Sequence, residues 1–163
     1  MKTEKIVRRD LDKKILSYRK ALSDKTGIVL AIALIGFFLL MVKLGWAEIL
    51  WLRYFNFMFL LFGLIYAFKK YNEKVKSSGM HYFDGLRLGL RTTLIAIIPF
   101  TVFMAGYLKF DTAFMDYVRQ SAEFGKYLSP MSASIGIALE GVVSGFLTSY
   151  CLMMYFKGEN EAD

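Results

Sequence analysis

The sequence predicts an all-α, polytopic membrane protein. The expected form is a four-transmembrane-helix bundle with an N-terminal amphipathic helix and a short periplasmic surface helix. Three observations predict it. Apolar residues make up 56% of the 163 and mean hydropathy is +0.40, although 21% of residues are charged. The charges gather at the amino end and in short connectors, while the apolar residues run in blocks. Each block is close to the about 20 helical residues that cross a hydrocarbon core of ~30 Å. In lipid the backbone must satisfy its own hydrogen bonds, so each block is expected to be a helix.

Residues 1–25, MKTEKIVRRDLDKKILSYRKALSDK, place Ile6, Leu11, Ile15, Leu16, Tyr18 and Leu22 at roughly helical spacing among nine Lys and Arg. This pattern predicts a basic amphipathic cytoplasmic segment lying on anionic lipid headgroups. Residues 26–156 are the expected transmembrane domain, and 157–163 a polar tail. The charged lead before residue 26 is too long for a secretory signal, and no cleavage site follows Val42, so the first block reads as a span.

Span one is expected at 26–43, TGIVLAIALIGFFLLMVK. Trp46 and Trp51 then flank a connector short enough to demand an antiparallel hairpin, and match an interfacial aromatic belt. Span two is expected at 49–68. It carries Arg53 and Asn56 early, followed by the run FMFLLFGLIYAF, read as lipid-facing bulk. The loop KKYNEKVKSSGMHYFDG leads to span three at 85–108, where Arg87 and Arg91 are expected to snorkel to headgroups and Pro99 to kink the helix. Residues 109–129 form the longest outer connector, with three basic and three acidic residues and a rough apolar face. Pro130 opens span four, expected at 131–156, as prolines often do at a helix start.

Basic residues set the orientation. The amino segment, the middle loop with the start of span three, and Lys157 hold 16 of the 21, against five on the other side. The expected topology is multi-pass in a bacterial inner membrane with both termini cytoplasmic. The same bias accounts for the formal charge of +7, so membrane lipids and not nucleic acid are the expected partners.

Span four has two rows of small or polar residues at four-residue spacing. One is Ser132, Gly136, Glu140, Ser144 and Thr148; the other is Ala133, Ile137, Gly141, Gly145 and Ser149. Residues four apart share a helix face. Gly136, Gly141 and Gly145, with Gly85 and Gly89 of span three, are the candidate helix-packing positions, because a missing side chain lets backbones approach. Glu140 falls near mid-membrane, where a lipid-exposed carboxylate costs several kcal/mol by order of magnitude. It is expected to face protein or an internal water pocket in a polar network with Arg53, Asn56 and Ser144, Arg53 being the leading partner.

Catalytic chemistry is not expected, nor any cofactor or metal. His81 is the only histidine and Cys151 the only cysteine, the latter read as a small buried hydrophobe. Glycine-rich phosphate loops, HExxH motifs and nucleophile elbows are all missing from the sequence.

The segment YFDGLRLGLRTTLIAIIPF after the loop NEKVKSSG, paired with the closing span SIGIALEGVVSGFLTSYCLMMYF, resembles the small four-helix membrane proteins grouped as domain of unknown function 4199, common in Bacteroidetes. The resemblance covers most of the chain after Gly27 and implies the fold. It implies no catalytic residues. The expected role is a structural or accessory subunit of a membrane complex, joined to other subunits or to itself. The alternative is a small oligomeric transporter or channel with a polar path near Glu140.

Overall fold

The computed structural model describes residues 2–46, 50–75, 82–121 and 125–162, with side chains over 13–46, 55–75, 83–121, 125 and 127–156. Its elements are α1 (Lys2–Lys43), α2 (Leu50–Val75), α3 (Tyr82–Phe110), α4 (Thr112–Ser121), a 3-10 turn (Gly125–Tyr127) and α5 (Pro130–Ala162). The fold is all-α among the described residues.

Composition suggested a boundary near residue 26, but α1 is one continuous helix of 42 residues. At 1.5 Å per residue it is about 63 Å long, twice a hydrocarbon core. Tertiary contacts carry it through Ser23-Asp24-Lys25-Thr26, residues that suit a helix cap. Ser23 Oγ donates to the Leu88 carbonyl at 3.4 Å, and Asp24 accepts two bonds from Arg91, both from α3. Gly27 brings the two backbones together: a Cβ there would sit 2.7 Å from Ile95 Cβ. The helix ends in a Schellman turn. Gly45 has φ of 72°, its N–H bonds Val42 O at 3.0 Å, and Trp46 N–H bonds Met41 O at 2.9 Å.

Helices α2 and α3 each pack on both α1 and α5, and the broadest contacts join α3 to α5 and α1 to α3. Two apolar clusters fill the bundle. One gathers Leu34, Phe38, Leu60, Leu64, Phe100 and Met104, and the other Leu22, Phe68, Tyr71, Leu88, Met153 and Phe156. Helix α4 closes the first cluster. Its Met115 is buried, and the ring of Phe114 packs edge-on against Phe38 and Tyr107. Asp111 caps it, accepting from Phe114 N–H at 3.0 Å and from Tyr107 O–H at 2.7 Å. These bonds hold the Asp111 carboxyl below the usual carboxylate range. Helix α5 opens on Pro130 with a reciprocal cap: Ser129 N–H donates to Ser132 Oγ at 2.9 Å, and Ser132 N–H to Ser129 Oγ at 3.2 Å. It runs on through the expected polar tail to Ala162.

Large apolar side chains cover much of the exterior, and small hydroxyls are buried among the apolar clusters. Ile32, Phe62, Val102, Leu139 and Leu147 are exposed, whereas Ser23, Thr92, Thr93, Ser134 and Ser149 are fully buried. Most of these hydroxyls bond the carbonyl one turn back in their own helix, as Thr92 does to Leu88 and Ser149 to Gly145.

Among the described residues, three helices are long and apolar enough to cross a membrane: Lys13–Lys43, Phe83–Phe110 and Pro130–Phe156. Four were expected. Helix α2 is not among the three, and Lys69, Lys70, Asn72, Glu73 and Lys74 occupy its last turns. One further expectation is corrected: Cys151 is exposed and not buried. Arg91, about half exposed, binds Asp24. The loop with His81 lies outside the described residues.

Candidate functional site

Polar residues of α2 and α5 line one partly open pocket between the helices. A cavity of about 80 Å³ is lined by Asn56, Glu140 and Ser144 together with Leu34, Leu60, Ile97, Phe100, Ile137 and Gly141. That volume holds several water molecules. Glu140 lies ten residues after Pro130, roughly 15 Å along α5. It lines the cavity while much of its side chain is exposed. Asn56 Oδ1 is buried and accepts no hydrogen bond. An orphaned buried acceptor costs about 1–3 kcal/mol, so the cavity offers an unmet acceptor between apolar walls. Arg53, expected beside Glu140, is on α2 three residues before Asn56, and its side chain lies outside the described residues.

The glycines sort into two sets. Gly141 and Gly145 face α3. A Cβ on Gly141 would come 2.6 Å from Ile97 Cδ1, and one on Gly145 would collide with the Thr93 side chain. Gly89 on α3 faces back toward α5 and would collide with Ser149, and Gly85 is buried. Gly136 does not belong to this seam, since nothing lies within 4 Å of a Cβ built there. The packed row of α5 is therefore Ala133, Ile137, Gly141, Gly145 and Ser149, and the Gly136 row diverges from it toward the open face.

A second polar centre sits where α1 meets the start of α3. Arg19 is 7% exposed and pairs with Asp84, and Asp24 pairs with Arg91 at 2.7 Å. Tyr71 is fully buried beside the first pair. Sequence reasoning missed this centre by treating the amino segment as independent of the bundle. One signal was available: Arg19 falls on the stripe Ile15, Tyr18, Leu22, Ser23 and Thr26, the face of α1 that the bundle covers.

Among the described residues, no group of three His, Cys, Asp or Glu side chains could hold a metal ion. In comparisons with known proteins, no family model, no curated protein and no solved structure matches the chain.

Proposed function

We propose that the chain is a four-span protein of a bacterial inner membrane, with both termini cytoplasmic, working as a subunit of a membrane assembly and joined to its neighbours along the outer face of α5. Kinship with the small four-helix family of unknown function is part of this reading, and rests on the segments around Tyr82–Phe100 and Ser134–Phe156. Helix α2 is taken as the fourth span because it packs on all three candidate spans and turns Phe55, Phe59 and Phe62 outward.

One observation carries the assembly. The apolar window of α5 is only 17% buried within the chain, against 39% in α1 and 44% in α3. That open face includes Gly136 and part of Glu140. A gap at a glycine and a mid-span carboxylate suit contact with another helix better than contact with acyl chains. A photo-crosslinking residue at position 139 or 143, expressed in bacterial membranes, is expected to give adducts of discrete mass, and one at position 62 none. No adducts at 139 and 143, or the same adducts at all three positions, would reject the α5 interface.

The second reading, a small oligomeric transporter or channel, is favoured by the orphaned Asn56 acceptor inside the Glu140 cavity. Proteoliposome flux that Glu140→Gln abolishes would put it first.

A further inference from the structure

The α1–α2 face has a feature that neither the bundle core nor α5 explains. Lys70 Nζ donates to Tyr66 Oη at 3.0 Å and lies 5.3 Å from the ring centroid. The hydrogen bond from Lys70 to Tyr66 raises the ammonium above the usual lysine range. Leu30 of α1 lies against Gly63 of α2, and in these antiparallel helices Lys25 therefore stands at the level of Tyr66 and Lys70. Lys25, Tyr66 and Lys70 are all exposed. Two helices thus present two cations and one phenol together at the end of the bundle that also holds Arg19 and Asp84. Glu73, one turn further from the apolar region, is the carboxylate nearest this group on α2.

Beneath the cations runs a groove of different chemistry. On α1 the row is Val29, Ala33 and Phe37, and on α2 it is Phe62 and Phe59. The helices touch at the floor, where Gly63 faces Leu30, and the groove closes at its far end where Phe37 packs on Phe55 and Phe59 at 6.1 and 5.2 Å between ring centroids. Val29 and Phe62 on its walls are 59% and 60% exposed. From Lys25 to Phe37 the groove is about 18 Å long, close to the depth of one leaflet.

We propose that the α1–α2 groove is a binding site for one anionic phospholipid, its phosphate held by Lys25, Lys70 and Tyr66 and an acyl chain laid along Val29, Phe62 and Phe59. Charge complementarity selects the headgroup. Two ammoniums at the membrane surface attract a phosphate, each contributing an attraction that a zwitterionic lipid partly cancels. The exposed aromatic wall supplies van der Waals contact for the chain, and Tyr66 stands at the level where phenols meet both headgroup and hydrocarbon. Lys25 is the last cation of the basic amino segment, and Lys13 and Lys14 precede it by about three turns.

The test uses the full chain in detergent, titrated with phosphatidylglycerol or phosphatidylcholine and read by native mass spectrometry, with melting temperature as a second measurement. The wild-type protein is expected to retain phosphatidylglycerol in preference to phosphatidylcholine and to melt higher with it. Lys25→Ala/Lys70→Ala is expected to lower apparent affinity for phosphatidylglycerol by roughly tenfold or more while melting normally without lipid. Tyr66→Phe, which keeps the ring and both cations, is expected to lose a smaller part. Lys13→Ala/Lys14→Ala and Lys109→Ala are expected to bind as wild type does. Equal retention of the two lipids, or a preference that survives Lys25→Ala/Lys70→Ala, would overturn the site. So would a preference lost instead in Lys13→Ala/Lys14→Ala. Should the lysine pair be needed for adducts with a protein in membranes but not for lipid retention, the groove is a protein contact and the lipid proposal fails.

Discussion

Arg19 of α1 and Asp84 of α3, 65 residues apart, form an ion pair at the same end of the bundle where Asp24 and Arg91 form a second. The two pairs differ in burial. Side-chain exposure is 9% and 28% for Arg19 and Asp84, but 45% and 42% for Arg91 and Asp24.

That difference predicts unequal coupling. Removing one member of a buried pair leaves the other uncompensated, whereas exposed pairs are worth about 0.2–1 kcal/mol. Double-mutant cycles read as detergent stability, with Arg19→Gln/Asp84→Asn and Asp24→Asn/Arg91→Gln, are expected to give about 1 kcal/mol or more for the first and less for the second. Additive losses at Arg19 and Asp84 would show that the pair does not join α1 to α3.

The glycines predict a separation of folding from assembly. Gly141→Leu and Gly145→Leu place branched side chains where Ile97 and Thr93 already stand, so each is expected to cost several kcal/mol or prevent folding. A Cβ at Gly136 has nothing within 4 Å among the described residues. Gly136→Leu is expected to keep the melting temperature of the isolated protein while weakening association through α5. Thermal melts with size-exclusion light scattering separate the two outcomes.

Glu140 and Arg53 are expected to couple. Glu140→Gln and Arg53→Gln, measured singly and together, should show an interaction of about 1 kcal/mol or more if the carboxylate and guanidinium are partners. Simple additivity would assign Glu140 to the cavity without Arg53.

Acid is expected to loosen α4. Asp111 has a folded value held below its ordinary 3.8 by the bonds from Phe114 and Tyr107. A depressed carboxylate contributes stability above its unfolded value and loses it as pH falls through the folded one. Protection of the 112–121 amides, measured relative to their intrinsic exchange rates, should therefore fall at low pH in the wild-type chain. In Asp111→Ala protection should already be low at neutral pH, and the two should converge in acid. A constant difference between them at all pH values would mean that ionisation of Asp111 does not support the cap.

Span number is testable by parity. Four spans put both termini on one side, and three put them on opposite sides. Reporter fusions at both termini are expected to agree with each other and to oppose a reporter inserted within 111–126. Disagreement between the termini would remove α2 from the membrane.

The order of apolar blocks by itself pointed to a helical, membrane-crossing chain, because blocks of about 20 apolar residues suit spanning helices and are too long for the strands of a barrel. It also placed the short helix before the last long one, since Pro130 and the polar connector interrupt the blocks, and marked Gly141 and Gly145 as positions of close approach. Only the tertiary structure decided that α1 is one helix and not two. Charge composition changes at residue 26, but the helix continues because Ser23, Asp24 and Gly27 all engage α3. The same holds for Gly136 and Gly141. Both belong to small-residue rows on α5, and their spacing carries no direction. Which row meets α3 depends on how α5 is rotated about its own axis, and that rotation is set by the side chains of Thr93 and Ile97 on another helix.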